Sequence, residues 1–402
     1  MSKGLCILGS TGSIGRQGLC VVRNALERFH VVALCAGKNL ELLALQVREF
    51  APKLVVVGNA EWMVPLRERL RSLGASSTVE IAYGVSGQVE AVTHPEVDMV
   101  LSASHGTTGL VATYEAVLAG KRIGLANKEV LVAAGELVTR AAREEGAEIL
   151  PVDSEHCALH QCLRAGSQQE VRRLILTASG GPFLKTPRKL LHRITPGEAL
   201  LHPVWKMGGR ITVDSATLMN KGLEIIEAHW LFGFPPEQIE VLIHPESVVH
   251  SMVEFRDGSV MAQMSVPDMR LPIQYALDYP DRMAMKGDSQ GLDLIAQGKL
   301  RFAKPDTRRF PCLDLARAAL GRGGSAPCAL NAADEVAVEA FLAGQLHFSD
   351  IPRVIEKVLE QTTYTQSFGS LDDVLACDQE ARRRARELVA TLARPQGAGT
   401  AL

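Results

Sequence analysis

Three groups of residues in this sequence have the types and the spacing that chemistry needs. The first is a glycine-rich segment, GSTGSIG, at residues 9–15. The second is the pair of acids Asp153 and Glu155, and the third is the polar segment DSATLMNKGLE at residues 214–224. Glycine turns that open helices bind phosphates, and neighbouring carboxylates bind divalent cations. These groups therefore predict a site that holds phosphate groups and a metal ion.

The glycine-rich segment predicts a dinucleotide-binding loop. It follows an apolar, strand-like run and opens a helical pattern, so its glycines allow a tight turn and close approach to a pyrophosphate. The helix N-terminus supplies free N–H groups and a partial positive charge. A glycine turn that serves packing alone is the alternative.

The end of the second predicted strand favours NADPH over NADH. Residues 33–36, ALCA, carry no terminal acid, which an NAD-specific site uses to hold the ribose 2′-hydroxyl. Gly37, Lys38 and Asn39 follow instead, and a cation with an amide suits a 2′-phosphate. Glu41 keeps the choice open, and an ordinary surface lysine is the alternative for Lys38.

Three further polar clusters follow predicted strands directly, at residues 106–109, 127–129 and 153–155. Ligands of an open α/β sheet bind outside the carboxyl ends of its strands, so we expect these clusters to converge with the glycine-rich segment. Each cluster alone is also compatible with a helix cap. Asn127 in particular has the residue type of a plain N-cap.

The two acids after the last of these strands predict a metal site. Asp153 and Glu155 are two residues apart in a segment that we expect to be extended, so both side chains point to the same side. Mg²⁺ or Mn²⁺ prefers such oxygen ligands and leaves coordination positions for substrate. A surface pair of acids is the alternative.

The polar segment at residues 214–224 predicts a phosphate clamp. Ser215, Asn220 and Lys221 supply two neutral donors and one cation, and Glu224 adds a third carboxylate for the metal. The alternative is a capped helix start with a solvated face. Ser179, in a glycine turn after another predicted strand, is a further anion donor.

The segment HPVWKMGG at residues 202–209 has the composition of a mobile lid. Trp205 and Met207 are large apolar residues in a glycine-flanked setting, which suits a loop that closes over a site. The alternative is that both side chains anchor the loop to the core.

The elements that must position these residues begin with a doubly wound parallel sheet. Short apolar runs alternate with helical patterns from residue 4 to about residue 153. The predicted strands are 4–9, 30–36, 54–58, 78–83, 98–103, 121–126 and 148–153. Further strands at 171–180, 210–214 and 239–265 predict a second, α+β domain.

The remainder of the chain predicts a linker and a small helical bundle. Polar composition marks the linker, and helical periodicity with capping residues marks the bundle. The predicted helices are 313–320, 326–342, 351–361 and 371–392. The predicted domains are residues 1–150, 151–280, 281–311 as the linker, and 312–402. Arg382–Arg384 on the last helix is either a phosphate patch or a solvated face.

Charge and composition exclude several classes of partner. The 402 residues include 43 Lys and Arg against 45 Asp and Glu, which gives a formal net charge of −2 and argues against nucleic-acid binding. Apolar runs are too short for a spanning helix, and no signal peptide precedes the first strand, so we expect no membrane partner and a cytoplasmic location. The eight scattered cysteines predict reduced core residues.

The motifs GSTGSIG, AGKN, NKE, PVDSEH, SGGPF, HPxWxMG, VDSATxMNKGLE and HPxSVVHSM resemble the 1-deoxy-D-xylulose 5-phosphate reductoisomerase family. They run in order over the first 280 residues, and the helical end is similar to the family's third domain. The resemblance implies a Rossmann-like N-terminal sheet, a central α+β catalytic domain and a C-terminal helical bundle. It also implies a homodimer.

The activity implied by the resemblance is the conversion of 1-deoxy-D-xylulose 5-phosphate to 2-C-methyl-D-erythritol 4-phosphate in the non-mevalonate isoprenoid pathway. NADPH would be the reductant, and one divalent cation, Mn²⁺, Mg²⁺ or Co²⁺, would chelate the substrate during a retroaldol/aldol rearrangement. The reaction partner is thus a small phosphorylated sugar.

Site residues carry over from the resemblance by position. The metal ligands would be Asp153, Glu155 and Glu224. The catalytic groups that handle protons would be Lys128 and Glu155, with Ser154 near the substrate hydroxyls. The phosphate pocket would be Ser179, Ser215, Asn220 and Lys221, with His202 beside it. The cofactor contacts would be Thr11, Gly12, Ser13, Ile14, Gly37, Lys38, Asn39, Asn127, Glu129 and Gly208. The lid would carry Trp205 and Met207.

Two other functions are compatible with parts of the pattern. A metal-assisted NADP-dependent hydroxy-acid dehydrogenase leaves the Ser/Asn/Lys clamp beside Glu224 without a purpose. A non-catalytic NADP(H)-binding sensor leaves the three carboxylates unexplained. The sequence also departs from the family pattern at Val204 and Lys206 in the lid and at Glu246.

Overall fold

The computed structural model describes residues 2–75, 78–202, 204–205, 208–285 and 291–392. The chain divides into two compact units. Unit 1 comprises Met1–Val130, Val138–Ser167 and Gln263–Leu292, and unit 2 comprises Leu131–Leu137, Gln168–Ala262 and Asp293–Leu402. The domain boundaries near residues 150, 280 and 311 stay a prediction.

Within the described residues, unit 1 contains a seven-stranded parallel sheet built from the apolar runs that the sequence marks. The strands are β1 (Lys3–Leu8), β2 (Phe29–Cys35), β3 (Leu54–Val57), β4 (Glu80–Tyr83), β5 (Met99–Ser102), β6 (Arg122–Leu125) and β7 (Ile149–Pro151). Their order in the sheet is β4-β3-β2-β1-β5-β6-β7. The predicted doubly wound, Rossmann-like sheet is confirmed, and all seven strands predicted for it are present.

A second, four-stranded sheet has the order β11-β10-β8-β9. Its strands are β8 (Val171–Ala178), β9 (Ile239–Ile243), β10 (Val249–Phe255) and β11 (Val260–Met264). Strand β8 pairs in parallel with β9 and antiparallel with β10. This mixed sheet confirms the α+β class predicted for the central part of the chain.

Helices cover the sheets and form the end of the chain. They are α1 (Ser13–Arg23), α2 (Leu40–Phe50), α3 (Met63–Ser72), α4 (Gly84–Thr93), α5 (Leu110–Leu118), α6 (Glu129–Glu145), α7 (Ser154–Leu163), α8 (Pro196–Ala199), α9 (Gly209–Thr217), α10 (Met219–Phe232), α11 (Arg270–Asp278), α12 (Leu294–Gln297), α13 (Cys312–Arg322), α14 (Ala326–Leu342), α15 (Ile351–Gln361) and α16 (Leu371–Leu392).

The strand order of unit 1 explains where its polar clusters lie. The order reverses between β1 and β5, so the crevice at the carboxyl ends of these two strands is the switch point where such sheets bind ligands. The glycine-rich segment follows β1, and the cluster at 106–109 follows β5. The clusters at 127–129 and 153–155 follow β6 and β7, which are the next strands in the sheet.

Two local predictions are wrong. The segment 210–214 is not a strand but part of α9, since the Thr212 hydroxyl donates to the carbonyl of Gly208 and the helix packs on α10 and α14. The β-branched residues Thr212 and Val213 are buried within that packing, which overrides their strand propensity. The segment 153–155 is not extended either, because β7 ends at Pro151 and α7 begins at Ser154, with Asp153 at its N-cap position.

The predicted helical bundle is present in unit 2, where α14 packs against α13, α15 and α16. Ser370 and Asp373 cap α16 reciprocally, whereas Asp350, at the N-cap position of α15, makes no side-chain capping bond. All eight cysteines are free thiols, and six of them are buried. No helix in the described part of the chain is long and apolar enough to cross a membrane.

Candidate active site

The glycine-rich loop is built to approach another backbone closely. A Cβ added at Gly15 would lie 2.6 Å from Ser10 Cα and closer still to the carbonyl of Gly9, so only glycine fits there. Helix α1 begins immediately after Gly12, and no side chain caps it. Its first N–H groups are thus available to an anion, which fits the pyrophosphate of a dinucleotide.

Buried polar atoms beside this loop support the same fit. The hydroxyl of Ser10 is buried and has no hydrogen-bond partner among the residues that the structure describes. Asn127 donates from Nδ2 to the carbonyl of Gly106 at 2.9 Å, while its Oδ1 is buried without a described partner. Unpaired buried polar atoms are costly, and a bound ligand would satisfy them.

Asn127 is not a helix cap, so that alternative is wrong. Helix α6 has Lys128 at its N-cap position, and Glu129 is its first residue. The Asn127 side chain instead joins the loop after β5 to the loop after β6. Both loops therefore present polar groups at the carboxyl edge of the sheet.

The segment after β2 is exposed and carries the predicted 2′-phosphate contacts. Gly37, Lys38 and Asn39 are all exposed, and Asn39 accepts from the Leu42 N–H at 3.1 Å, which caps α2. Because Asn39 Oδ1 is occupied by this bond, the part of the Asn39 side chain that can contact a phosphate is its Nδ2 amide group. Glu41 forms an ion pair with Arg69 at 2.5 Å, so its negative charge is paired with a cation within unit 1.

A lysine–aspartate pair lies at the carboxyl ends of β6 and β7. Lys128 Nζ is 2.5 Å from Asp153 Oδ2, and His156 Nδ1 is 3.6 Å from the same oxygen. Lys128 and His156 are both buried. Burial alone would raise the pKa of Asp153, but Lys128 and His156 outweigh it and hold that pKa well below its ordinary value. Asp153 is therefore an ionised carboxylate, not half of a surface pair of acids.

The neighbouring predicted residues lie in the first turn of α7. The Ser154 hydroxyl donates to Glu155 Oε2 at 2.7 Å, and both side chains are half-buried. Asp153 and Glu155 supply carboxylate oxygens, which are the donors that Mg²⁺ and Mn²⁺ prefer. The chemistry of these donors fits the predicted cation, and Glu224, the third predicted ligand, belongs to unit 2.

In unit 2, the predicted phosphate residues lie on a turn and on two consecutive helices. The Ser179 hydroxyl is 2.9 Å from His202 Nε2, and a Cβ added at Gly181 would lie 2.8 Å from the carbonyl of Ser215. The turn after β8 thus packs directly on the end of α9. Ser179, His202 and Ser215 are brought into one region of unit 2.

Helix α10 carries a buried charge cluster. Glu224 is fully buried, and it accepts from Asn220 Nδ2 at 2.6 Å and from Lys221 Nζ at 2.5 Å. Lys221 is also buried. The alternative of a solvated helix face is therefore wrong, since buried charges of this kind are kept for specific partners. The clamp residues and the third carboxylate contact each other directly.

The lid is described only in part. His202 Nδ1 accepts from the backbone N–H groups of Val204 and Trp205, at 3.2 and 2.9 Å. The Trp205 ring lies 6.2 Å from the ring of His250, and Gly208 is the exposed N-cap of α9. Met207 and its neighbour Lys206 lie outside the described residues.

Sequence reasoning missed several residues of these clusters. His156 lies three residues after Asp153, and this i, i+3 spacing on a helix would have indicated it. His250 is buried beside Trp205, and although it belongs to the motif HPxSVVHSM, it was given no role. Arg210 contacts Asp214 on its own helix and the distant Asp334, which no spacing in the sequence indicates.

Glu246, one of the departures from the family pattern, has a clear structural partner. It accepts from Arg301 Nε at 2.6 Å and from the Arg301 backbone N–H at 3.1 Å. Burial raises the pKa of Glu246, but Arg301 outweighs it and the pKa is lowered. The acid thus ties the loop after β9 to the segment after α12.

The fold and the glycine-rich loop define the class of this protein. A doubly wound parallel sheet with a glycine turn between β1 and α1, and polar clusters at the switch point, is the architecture of dinucleotide-binding enzymes. Models of 1-deoxy-D-xylulose 5-phosphate reductoisomerase match residues 5–135 and, for its C-terminal domain, residues 149–232. A model of the DXP reductoisomerase C-terminal domain matches residues 264–384.

The chain belongs to the 1-deoxy-D-xylulose 5-phosphate reductoisomerase family. The reductoisomerase of Solibacter usitatus is 53% identical over 388 residues, which cover 96% of this chain and 97% of that protein. The reductoisomerase of Symbiobacterium thermophilum is 52% identical over 387 residues, 96% of this chain and 99% of that protein. The predicted family is confirmed.

Solved structures of the family have the same fold. The Zymomonas mobilis reductoisomerase in complex with NADPH superposes with a TM-score of 0.90 at 43% identity, and covers 98% of this chain and 100% of its own. A reductoisomerase in complex with NADPH, fosmidomycin and magnesium has a TM-score of 0.92 at 41% identity, covering 97% and 99%.

Proposed function

We propose that this chain catalyses the NADPH-dependent and divalent-metal-dependent conversion of 1-deoxy-D-xylulose 5-phosphate to 2-C-methyl-D-erythritol 4-phosphate, a step of the non-mevalonate isoprenoid pathway. The observation that carries the proposal is the pairing of the buried Lys128 with Asp153, 2.5 Å apart, on the sheet edge that also carries the glycine-rich loop. A proton-handling ammonium beside an ionised carboxylate at a dinucleotide crevice suits a metal-assisted rearrangement followed by reduction.

The cofactor-binding residues are proposed mainly from the polar groups of the glycine-rich loop and of the segment that follows β2. The N–H groups from Ser13 onward face the pyrophosphate, while Lys38 and Asn39 hold the 2′-phosphate of NADPH. Thr11, Gly12, Ile14, Gly37, Asn127, Glu129 and Gly208 complete the proposed contacts. When bound, NADPH supplies a hydride, and the cation polarises the carbonyl and adjacent hydroxyl of the substrate.

We assign the cation to Asp153, Glu155 and Glu224, the three carboxylates that the family resemblance implies as its ligands. All three are carboxylates, and Asp153 is ionised in the absence of the cation because Lys128 and His156 lower its pKa. Hard divalent cations bind such oxygens.

Two side chains are proposed to move protons. Lys128, held at Asp153, donates from Nζ to a substrate oxygen, and Glu155 accepts a proton from a substrate hydroxyl. Ser154 orients Glu155 through the 2.7 Å hydrogen bond from its hydroxyl. Because Lys128 is buried, its proton is directed to the bound substrate rather than to bulk water.

The substrate phosphate is proposed to bind in unit 2. Ser179 and Ser215 lie on the two surfaces that Gly181 brings together, and Asn220 and Lys221 supply an amide and an ammonium from α10. His202, hydrogen-bonded to Ser179, fixes that hydroxyl and the backbone at Trp205. The lid with Trp205 and Met207 would then exclude water from the reacting groups.

The proposal includes a homodimer in the cytoplasm. Strand β11 lies at an edge of the four-stranded sheet, and Val260 and Met261 on it are 48% and 43% exposed. An exposed apolar edge strand invites pairing with a second chain, and a two-fold dimer would cover it.

A spectrophotometric assay of NADPH oxidation tests the function directly. NADPH oxidation is followed by nicotinamide absorbance with 1-deoxy-D-xylulose 5-phosphate, with and without Mg²⁺ or Mn²⁺. We expect turnover only with metal, and the product to be 2-C-methyl-D-erythritol 4-phosphate. Absence of turnover with both metals would contradict the proposal, as would an equally fast reduction of NADP⁺ by simple hydroxy acids.

A further inference from the structure

A cavity of about 280 Å³ in unit 2 lies among helix α15, the linker before α13 and the segment 188–193. Four arginines line it, Arg188, Arg308, Arg309 and Arg353, with Glu356 as the acid in the same lining. Like charges repel when they converge on one cavity, so such a lining is stabilised by an anion.

Two of these arginines already have partners. Arg309 donates to Asp306 at 2.8 Å and to the carbonyls of Leu184 and Thr186 at 2.9 and 2.8 Å. Arg353 pairs with Asp350 at 2.7 Å. Both therefore serve the local structure as well as the cavity.

The other two arginines are uncommitted. The side chains of Arg188 and Arg308 form no ion pair or hydrogen bond with any residue that the structure describes. The triple-arginine run on α16 behaves differently, since Arg382 pairs with Asp378 at 2.6 Å and Arg383 with Glu380 at 2.8 Å. Arg188 and Arg308 are exposed, as other arginines of unit 2 are, but they line a cavity together with two further arginines.

The rest of the lining adds complementary groups. Ser349 contributes a hydroxyl just before α15. Leu191, Phe310 and Phe348 form an apolar floor, and each is less than a tenth exposed. Guanidinium groups bind phosphate oxygens in bidentate geometry, and the floor suits a short hydrocarbon.

We propose that this cavity is a second ligand site, separate from the residues assigned to the reaction, and that it binds a small organic phosphate. Arg188 and Arg308 hold the phosphate, the Ser349 hydroxyl adds a hydrogen bond, and the apolar floor holds the carbon chain. The proposal does not depend on the function proposed above.

Calorimetric titration of the full chain with n-butyl phosphate tests the site. The test variant is Arg188→Gln with Arg308→Gln. The matched control is Arg193→Gln with Arg386→Gln, which removes the same charge from two exposed arginines outside the lining. We expect the test variant to lose a binding event, or to bind roughly tenfold more weakly, because two charge-assisted contacts are removed. The control should match the natural chain.

Two further measurements decide whether the site is separate and what it recognises. The KM for 1-deoxy-D-xylulose 5-phosphate should be equal in both variants, since neither touches the residues assigned to the substrate phosphate. Inorganic phosphate should bind more weakly than n-butyl phosphate, and n-butanol should not bind. Equal binding by the test variant and the control, a raised KM in the test variant alone, or binding of n-butanol would each overturn the proposal.

Discussion

Replacing Gly15 by alanine should damage the dinucleotide loop, because the added methyl group has no room there. The new Cβ would lie 2.6 Å from Ser10 Cα and 2.7 Å from Ser10 C, whereas ordinary contact begins at 3.4 Å. The start of α1 and the turn after β1 would therefore have to separate by about 1 Å. Backbone atoms cannot rotate aside, so the whole loop must shift.

The magnitude follows from this geometry. Overpacking of this kind costs about 1–3 kcal/mol, and the shift displaces the N–H groups that hold the pyrophosphate. We expect the free energy of unfolding to fall by about 1–3 kcal/mol. The dissociation constant for NADPH should rise roughly tenfold or more, since about 1.4 kcal/mol corresponds to a factor of ten.

Urea unfolding and NADPH titration on a graded series measure the effect. At Gly12 an added Cβ would lie 3.2 Å from its nearest neighbour, and at the exposed Gly197 it would meet nothing within 4 Å. The loss of stability should therefore be largest for Gly15→Ala, smaller for Gly12→Ala and absent for Gly197→Ala. If Gly15→Ala unfolds and binds NADPH like the natural chain, the loop does not make the close approach described here.

Three further predictions concern charged side chains. Glu224→Gln should lower metal-dependent turnover roughly 100-fold or more while NADPH binding stays nearly intact, and unchanged activity would remove Glu224 from the site. Lys38→Ala should weaken NADPH roughly tenfold and NADH hardly at all, as titrations of both cofactors would show, and equal losses would contradict a 2′-phosphate contact. Burial raises the pKa of Asp334 from 3.8 to about 6, although Arg210 opposes the shift. The folded chain thus holds this proton where the unfolded chain has lost it, so the free energy of unfolding falls as pH rises from 3.8 to about 6. Urea unfolding across that range should show a flatter slope for Asp334→Asn, and identical slopes would refute the assignment.

The sheet of unit 1 could be predicted because local and global signals agree there. Each strand is a short apolar run, each is followed by a helical pattern, and the parallel arrangement buries both faces. The polar clusters could then be placed at one edge, since topology alone decides where the carboxyl ends lie. The segment 210–214 failed because β-branched residues that are buried in a helix look like a strand in isolation.

The partners of the site residues could not be predicted in the same way. The sequence marked Lys128 and Lys221 as cations for ligands, but not that each would lie 2.5 Å from a carboxylate. Asp153 is 25 positions from Lys128, and the pair exists only because β6 and β7 are neighbours in the sheet. Contacts at such separation depend on the register of strands, which no local pattern contains.

These pairs also explain how buried charges persist before any ligand arrives. A lone buried carboxylate or ammonium is expensive, and removing one partner of a buried pair costs about 3–5 kcal/mol. Asp153 with Lys128 in unit 1, and Glu224 with Lys221 in unit 2, each balance one charge with one other inside a single unit. Each of these two carboxylates therefore has a lysine ammonium beside it within its own unit. A cation that binds the carboxylates and a phosphate that binds Lys221 exchange one set of charge partners for another, so ligand binding need not create or expose an unpaired charge.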